Sequence, residues 1–219
     1  MPNGIPCYLR GTHILTPEGE RPIEELKIGD PVVTLSGESK PIKWIGRERF
    51  RKDSSECWPD DFIPVRIRHF ALDERSPHRD LYVSRRHSIY IDGVLVPAMY
   101  LINSRSITRS APKGVDTMEF LHVELFAHDV IYAEGATAES FGSQREAREH
   151  FENFAEYYRL YPNEVETIHP PCAPLLWGES RLERAGRPLR QLLKPLIDLR
   201  TARDTIRDRL ASRAKELAD

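Results

Sequence analysis

Three cysteines and eight histidines are the side chains of this 219-residue chain best suited to attack a carbonyl or to move a proton near neutral pH. Cys7, Cys57 and Cys172 are odd in number and widely spaced, with no CxxC and no pair of histidines at zinc-ligand spacing. That pattern predicts a reduced chain free of structural metal, and no cofactor is implied. Cys7 is followed by Gly11-Thr12, a compact turn that would set the thiol where the chain enters a β region. A single cysteine in such a place is ordinarily a small buried hydrophobe, and His87 in SRRHSIYIDG is ordinarily a satisfied structural histidine. Cys57, in the acidic loop ECWPDDF, is assigned no role.

The elements that must position these residues are mostly strands. From Cys7 to Phe141 short β-branched runs (PVVTL, PIKWIG, IPVRIR, LYVS, SIYIDG, VLVPA, FLHVEL, DVIYAEG) are broken by Gly, Pro, Asp and Ser, which is an all-β pattern. Val65 and Ile67 alternate with Arg66 and Arg68, as in a strand with one buried and one wet face. PEGE at 17–20 and LSGES at 35–39 read as hairpin turns. PIEELKIGD reads as a short helix, with Pro22 in its first turn and Gly29 as its stop. Beyond Phe141 the texture becomes helical: SQREAREHFENFAEYYRLYP carries Phe151, Phe154 and Tyr158 at helical spacing, and the stretch from Leu189 is charged and amphipathic. Between them HPPCAPLLWG, 169–178, is a Pro-rich connector that excludes regular helix, with Trp177 expected to pack back on the fold. The expected division is a short leader 1–6, a β domain 7–142 and a helical extension 143–219.

Motifs inside the β region change the reading of Cys7. CYLRGTHILTPEGERPIEELKIGDPVVT resembles the first block of Hint domains, the β-rich modules shared by inteins and the C-terminal half of hedgehog proteins. Its marks are Cys7, Gly11-Thr12, a Gly19 turn, Pro22-Ile23-Glu24-Glu25-Leu26, Gly29-Asp30 and Val32-Val33. LYVSRRHSIYI is similar to the second block, a Thr-x-x-His element written here as Ser84-Arg85-Arg86-His87. HVELFAHDVIYAEGATAESF resembles the C-terminal blocks, with an Ala133-Glu134-Gly135 turn. The likeness spans about residues 5 to 142 and is nearest to stand-alone bacterial Hint domains; the fold it implies is a hedgehog/intein-like all-β domain followed by an α-helical extension.

The resemblance implies a chemistry. The Cys7 thiol attacks the carbonyl before its own nitrogen, moving the acyl group from nitrogen to sulfur and leaving a thioester. Ser84 and His87 then stand where inteins polarise the scissile amide and protonate its nitrogen, and His128 with Asp129, or His122 as a secondary candidate, supplies a second polar group from the C-terminal block. Splicing inteins close with His-Asn, whose Asn cyclises; here Glu139-Ser140 stand in those positions, which leaves only thioester formation followed by hydrolysis or capture, as in the hedgehog type. The expected function is single-turnover autoproteolysis at Pro6-Cys7. The alternative is a catalytically silent Hint fold serving as an interaction or structural module, favoured by the six-residue leader and by the Pro6 ring crowding the carbonyl.

Bulk properties narrow the partners. Acids and bases nearly balance at a formal charge of -2, which disfavours nucleic acid. No run of about 18 apolar residues spans a bilayer, and MPNGIPCYLR lacks the apolar region of a signal peptide. A cytoplasmic location and an unknown upstream polypeptide or partner protein are expected.

Overall fold

The computed structural model describes residues 5–52, 57–142, 145–164, 170–176 and 201–218. Among these it is mainly β. The strands are β1 (Tyr8–Leu9), β2 (His13–Thr16), β3 (Gly19–Pro22), β4 (Pro31–Val33), β5 (Ser39–Pro41), β6 (Trp44–Arg51), β7 (Val65–Ile67), β8 (Leu81–Val83), β9 (Ser88–Ile91), β10 (Val94–Pro97), β11 (Ile107–Arg109), β12 (Thr117–Glu124), β13 (Val130–Ala133) and β14 (Ala136–Glu139). One sheet runs β11-β7-β8-β1-β12-β6, a second runs β10-β9-β14-β13-β2-β3, and β4-β5 forms a separate hairpin. The turns expected at 17–20 and 35–39 join β2 to β3 and β4 to β5. The helix expected at PIEELKIGD is a single 3-10 turn over Ile23–Glu25. It stops there because Ile23 and Leu26 are both core residues, and Leu26 reaches the core on extended backbone.

Two apolar clusters lie on opposite faces of the first sheet. The larger draws on both sheets, with Tyr8, Val83, Leu121 and Val123 from one and Ile14, Ile89 and Ile131 from the other. The smaller gathers Ile5, Cys7, Leu9, Trp44, Met118 and Phe120 with Phe141, Phe151 and Tyr157 from beyond the strands. Period-two alternation along β1 therefore sends Tyr8 into one core and Cys7 and Leu9 into the other. Burial of this kind stabilises by about 25 cal/mol per Å² of apolar surface removed from water.

The extension covers an open edge of each sheet. Helices α1 (Arg145–Arg148) and α2 (Phe154–Leu160) are separate, because the residues between them bind the free edge of β6. The Arg47 amide donates to Asn153 Oδ1 (2.8 Å), Asn153 Nδ2 donates to the Ile45 carbonyl (2.9 Å), and the Glu152 amide donates to the Arg47 carbonyl (2.9 Å). These contacts satisfy backbone groups that an unpaired strand would leave open. As a result the buried aromatics are Phe151 and Tyr157, whereas Phe154, which shares the helical spacing with Phe151, is exposed. A buried ionic group fastens the same segment: Lys43 faces Glu124 (3.4 Å) and Glu164 (2.6 Å), and Arg148 grips Glu124 with two bonds of 2.7 and 2.9 Å. At the other sheet, Pro174 and Leu176 hydrogen-bond to Leu95 of edge strand β10 (2.8 Å each), so the Pro-rich segment is extended. Trp177 lies outside the described residues.

The last helix, α3 (Ala202–Glu216), starts at a capping box between Thr201 and Asp204 and buries Ile206, Leu210 and Ala214 at i, i+4 and i+8. No helix among the described residues is long and apolar enough to cross a membrane.

The fit of Phe151 on β6 is testable. A Cβ built on Gly46 would come within 2.8 Å of the Phe151 ring. Gly46→Ala is expected to destabilise by about 1–3 kcal/mol through overpacking, and Phe151→Ala by about 3–5 kcal/mol. Denaturant unfolding of the double variant should show most of the Gly46→Ala penalty gone, since the clashing ring is absent; full additivity would refute the contact.

Candidate functional site

Strand β1 is short, yet it is held on both sides. Tyr8 pairs with Val83 of β8 and Leu121 of β12, and Leu9 pairs with Phe120. Ser84 directly follows β8 and so comes alongside Cys7. The Cys7 amide donates to Ser84 Oγ (2.8 Å), the Ser84 hydroxyl donates to the Ile5 carbonyl (2.7 Å), and the Ser84 amide donates to the Cys7 carbonyl (2.8 Å). The peptide between Pro6 and Cys7 is thereby bracketed by one side chain. Just past β1, Thr12 Oγ1 donates to the Leu9 carbonyl (2.7 Å), closing the Gly11-Thr12 turn.

His87 is held by its backbone, its amide donating to the Ser84 carbonyl (3.1 Å) and its carbonyl accepting from the Ala98 amide (2.9 Å). Its ring lies 4.1 Å from the Tyr8 ring and 4.9 Å from that of His122, centroid to centroid. His122 stacks on Tyr8 at 5.7 Å and meets Phe141 edge-on at 5.2 Å. One step beyond the Tyr8–Leu121 pair, the register sets Cys7 opposite His122. Both histidines are fully enclosed, and neither His87 ring nitrogen has a hydrogen-bond partner among the described residues. Burial drives the His87 pKa well below the ordinary value, helped by charge at His122 and His128. Burial likewise takes His122 down to about 3. Both are therefore neutral at physiological pH.

The thiol of Cys7 is protonated for a related reason: burial raises its pKa well above the usual value, and the charge of Glu48 adds to the effect. Glu48 is a site residue that the sequence motifs do not mark. It shares the inner face of β6 with Trp44, a face that period-two alternation reveals in WIGRERFR. Its Oε2 is buried without a hydrogen-bond partner among the described residues, and burial followed by the nearby Glu152 raises its pKa to about 7.

The remaining candidates part company. His128 Nε2 faces Glu139 Oε2 at 3.6 Å, while its Nδ1 accepts the Cys172 amide at 3.2 Å. Asp129 turns to Lys40 (2.6 Å) and its amide donates to Ser140 Oγ (2.9 Å). Thus Cys7, Ser84, His87 and His122 surround β1, whereas Asp129 is engaged with the β5 strand. Glu139 reaches back to the centre: its Oε1 accepts the Ser88 amide (2.6 Å) and its carbonyl accepts the Tyr8 hydroxyl (3.0 Å).

These shifts predict opposing pH effects on stability. The folded pKa of His122 is depressed, so its contribution is present above about pH 6.5 and is lost as pH falls toward 3. The folded pKa of Glu48 is raised, so its contribution is present below about 4.5 and is lost as pH rises through 7. Chemical denaturation between pH 4.5 and 6 should therefore show a flatter acid loss in His122→Gln and a steeper one in Glu48→Gln. Each change should be up to about 1.4 kcal/mol per pH unit; parallel profiles for all three proteins would contradict the assignment.

The family model described as a Hint domain matches residues 6–145. No curated protein matches the chain in sequence. Among solved structures, the chain is similar to the MchDnaB-1 intein at 12% identity and TM-score 0.41, over 61% of this chain and 99% of that one. It is similar to the bacterial intein-like domain from Clostridium thermocellum at 14% identity and TM-score 0.42, over 61% and 96%. It is also similar to the gp41-1 intein at 12% identity and TM-score 0.36, over 61% and 97%. The family model covers well over half of the sequence and takes in Cys7, Ser84, His87 and both C-terminal strands, so the chain belongs to the Hint domain family, whose general type is autoprocessing.

Proposed function

We propose that this protein performs the first step of Hint chemistry at the Pro6-Cys7 bond and no asparagine-dependent second step. The observation that carries the reading is the Ser84 hydroxyl, which bridges the Ile5 carbonyl and the Cys7 amide and so fixes the peptide between them. Fixed geometry of this kind lowers the entropic part of the barrier. In the proposed step His87, neutral at rest, takes the thiol proton. The thiolate then attacks the Pro6 carbonyl carbon, forming the S–C bond, and the tetrahedral centre collapses by breaking the C–N bond. The imidazolium returns the proton to the Cys7 nitrogen, which leaves as the amine. A histidine with a depressed pKa suits this role, since its protonated form is a strong acid toward an amine. His122, opposite Cys7 in register, serves as the second polar group in place of Asp129. Water or another nucleophile then opens the thioester. Glu139-Ser140 at the end of β14 offer no side-chain amide to cyclise. The natural substrate is the polypeptide joined before Cys7.

A second reading has its own support. The Cys7 thiol is buried and protonated, and its amide is already committed to Ser84, so the resting site is inert. On this reading the fold of 7–142 is an interaction module and the extension is its cover.

A reporter fused ahead of Cys7, with a less hindered residue than proline at position 6, separates the two. Release that accelerates with added thiol is expected, because the thiol captures the thioester and drains an uphill equilibrium. Cys7→Ala should abolish release, and His87→Ala should slow it by about 10²–10⁴-fold. Ser84→Ala should slow it as well. A folded fusion that stays intact after prolonged exposure to thiol establishes the second reading.

A further inference from the structure

We propose that Glu20, His78 and Glu134 form a binding site for a divalent transition ion of the zinc or cobalt class, separate from the Cys7 centre. One ligand atom from each lies within 4.8 Å of the others. His78 Nε2 is 3.0 Å from Glu20 Oε2 and 3.5 Å from Glu134 Oε2. Nitrogen and oxygen ligands bound at about 2.0–2.1 Å around a tetrahedral ion stand roughly 3.3 Å apart, so two of the three spacings already suit an ion between them.

Each ligand is held from behind. Glu134 is 3% exposed, and its Oε1 is taken by the His13 amide (2.8 Å) and ring Nδ1 (3.1 Å). Its Oε2 is buried and has no hydrogen-bond partner among the described residues. That atom faces His78 and Arg79 only at ion-pair distance and is the feature an ion would satisfy, because a buried carboxylate oxygen without a hydrogen bond is costly. The His78 amide donates to the Glu134 carbonyl (2.9 Å), which ties the loop carrying the imidazole to the β13–β14 turn. The ring then rests on Gly135, where a Cβ would come within 2.5 Å of His78 Nδ1. Only glycine leaves room for the ring there.

A competing cation is present. Arg79 stands 3.6 Å from Glu20 Oε2 and 3.7 Å from Glu134 Oε2, and its NH1 lies 3.0 Å from His13 Nδ1. Its side chain is half exposed, so it can withdraw into water when a divalent ion enters. Carboxylates and an imidazole, with no thiolate, point to an ion of borderline softness. A bound ion would clamp the loop between β7 and β8 to β3 and to the β13–β14 turn. This inference does not depend on cleavage at Pro6-Cys7.

The test uses the full chain with its exposed Cys57 and Cys172 alkylated, titrated with Co²⁺ by absorption and with Zn²⁺ by calorimetry and thermal melting. One saturable equivalent and a rise in Tm are expected. Glu20→Gln and His78→Gln should each weaken binding by at least about tenfold and remove the rise in Tm. Arg79→Met should act in the opposite sense and tighten binding, since it removes the competing cation. No saturable equivalent, unchanged affinity in Glu20→Gln and His78→Gln, or no tightening in Arg79→Met would each overturn the site and leave an Arg79-centred ion-pair network.

Discussion

The hydroxyl of Ser84 is the interaction on which the arrangement around Cys7 depends. It accepts from the Cys7 amide and donates to the Ile5 carbonyl, while the Ser84 amide holds the Cys7 carbonyl. Three bonds to one residue take the place of a regular ladder, because β1 has only two residues with which to pair. Without them the peptide before Cys7 would have no fixed direction. With them, Tyr8 drops into one core and Cys7 into the other, and the Tyr8 ring becomes the floor against which His87 and His122 rest. The position of the histidines thus follows from the position of the strand.

Electrostatics then make the assembled centre quiet. Enclosure removes water from the thiol and from both imidazoles and disfavours the charged form of each, so the thiol rests protonated and both imidazoles rest neutral. Glu48 reinforces this, since its charge opposes a thiolate. In the step proposed above, proton transfer from sulfur to imidazole would create two charges in a dry site, which is unfavourable unless a carbonyl carbon is in place to consume the thiolate. The extension contributes to the dryness, with Phe151 and Tyr157 in the same cluster as Cys7.

Much of this is legible in the residues, for identifiable reasons. The strands and the turns at 17–20 and 35–39 follow from period-two patterns and local turn chemistry, which need no tertiary information. The meeting of Cys7 with Ser84, 77 residues away, follows from motif resemblance alone. The placement of Asp129 beside His128 in sequence suggests a pair, but successive residues entering a strand diverge, one toward Glu139 and the other toward Lys40. Glu48 is hidden by its flanking arginines, although the alternation from Trp44 marks its face. The extension is harder, because a helical period runs through 151–158, where the open edge of β6 requires Glu152 and Asn153 for itself. Glu20, His78 and Glu134 come from three separate elements, so no local spacing could announce them.

The central place of β1 has a consequence for the order of events during synthesis. The strand that holds Tyr8 is made before either of its neighbours, which pair with it through Val83 on one side and Leu121 on the other. At ribosomal rates of about 5–20 residues per second, roughly five to twenty seconds separate the appearance of Cys7 from that of the strand opposite it. Throughout that interval the thiol belongs to an unpaired segment in water, with an ordinary cysteine's reactivity and no partner histidine. The chain is therefore its own timer: whatever the centre does to the bond before Cys7 is postponed until the strand carrying His122 has been made.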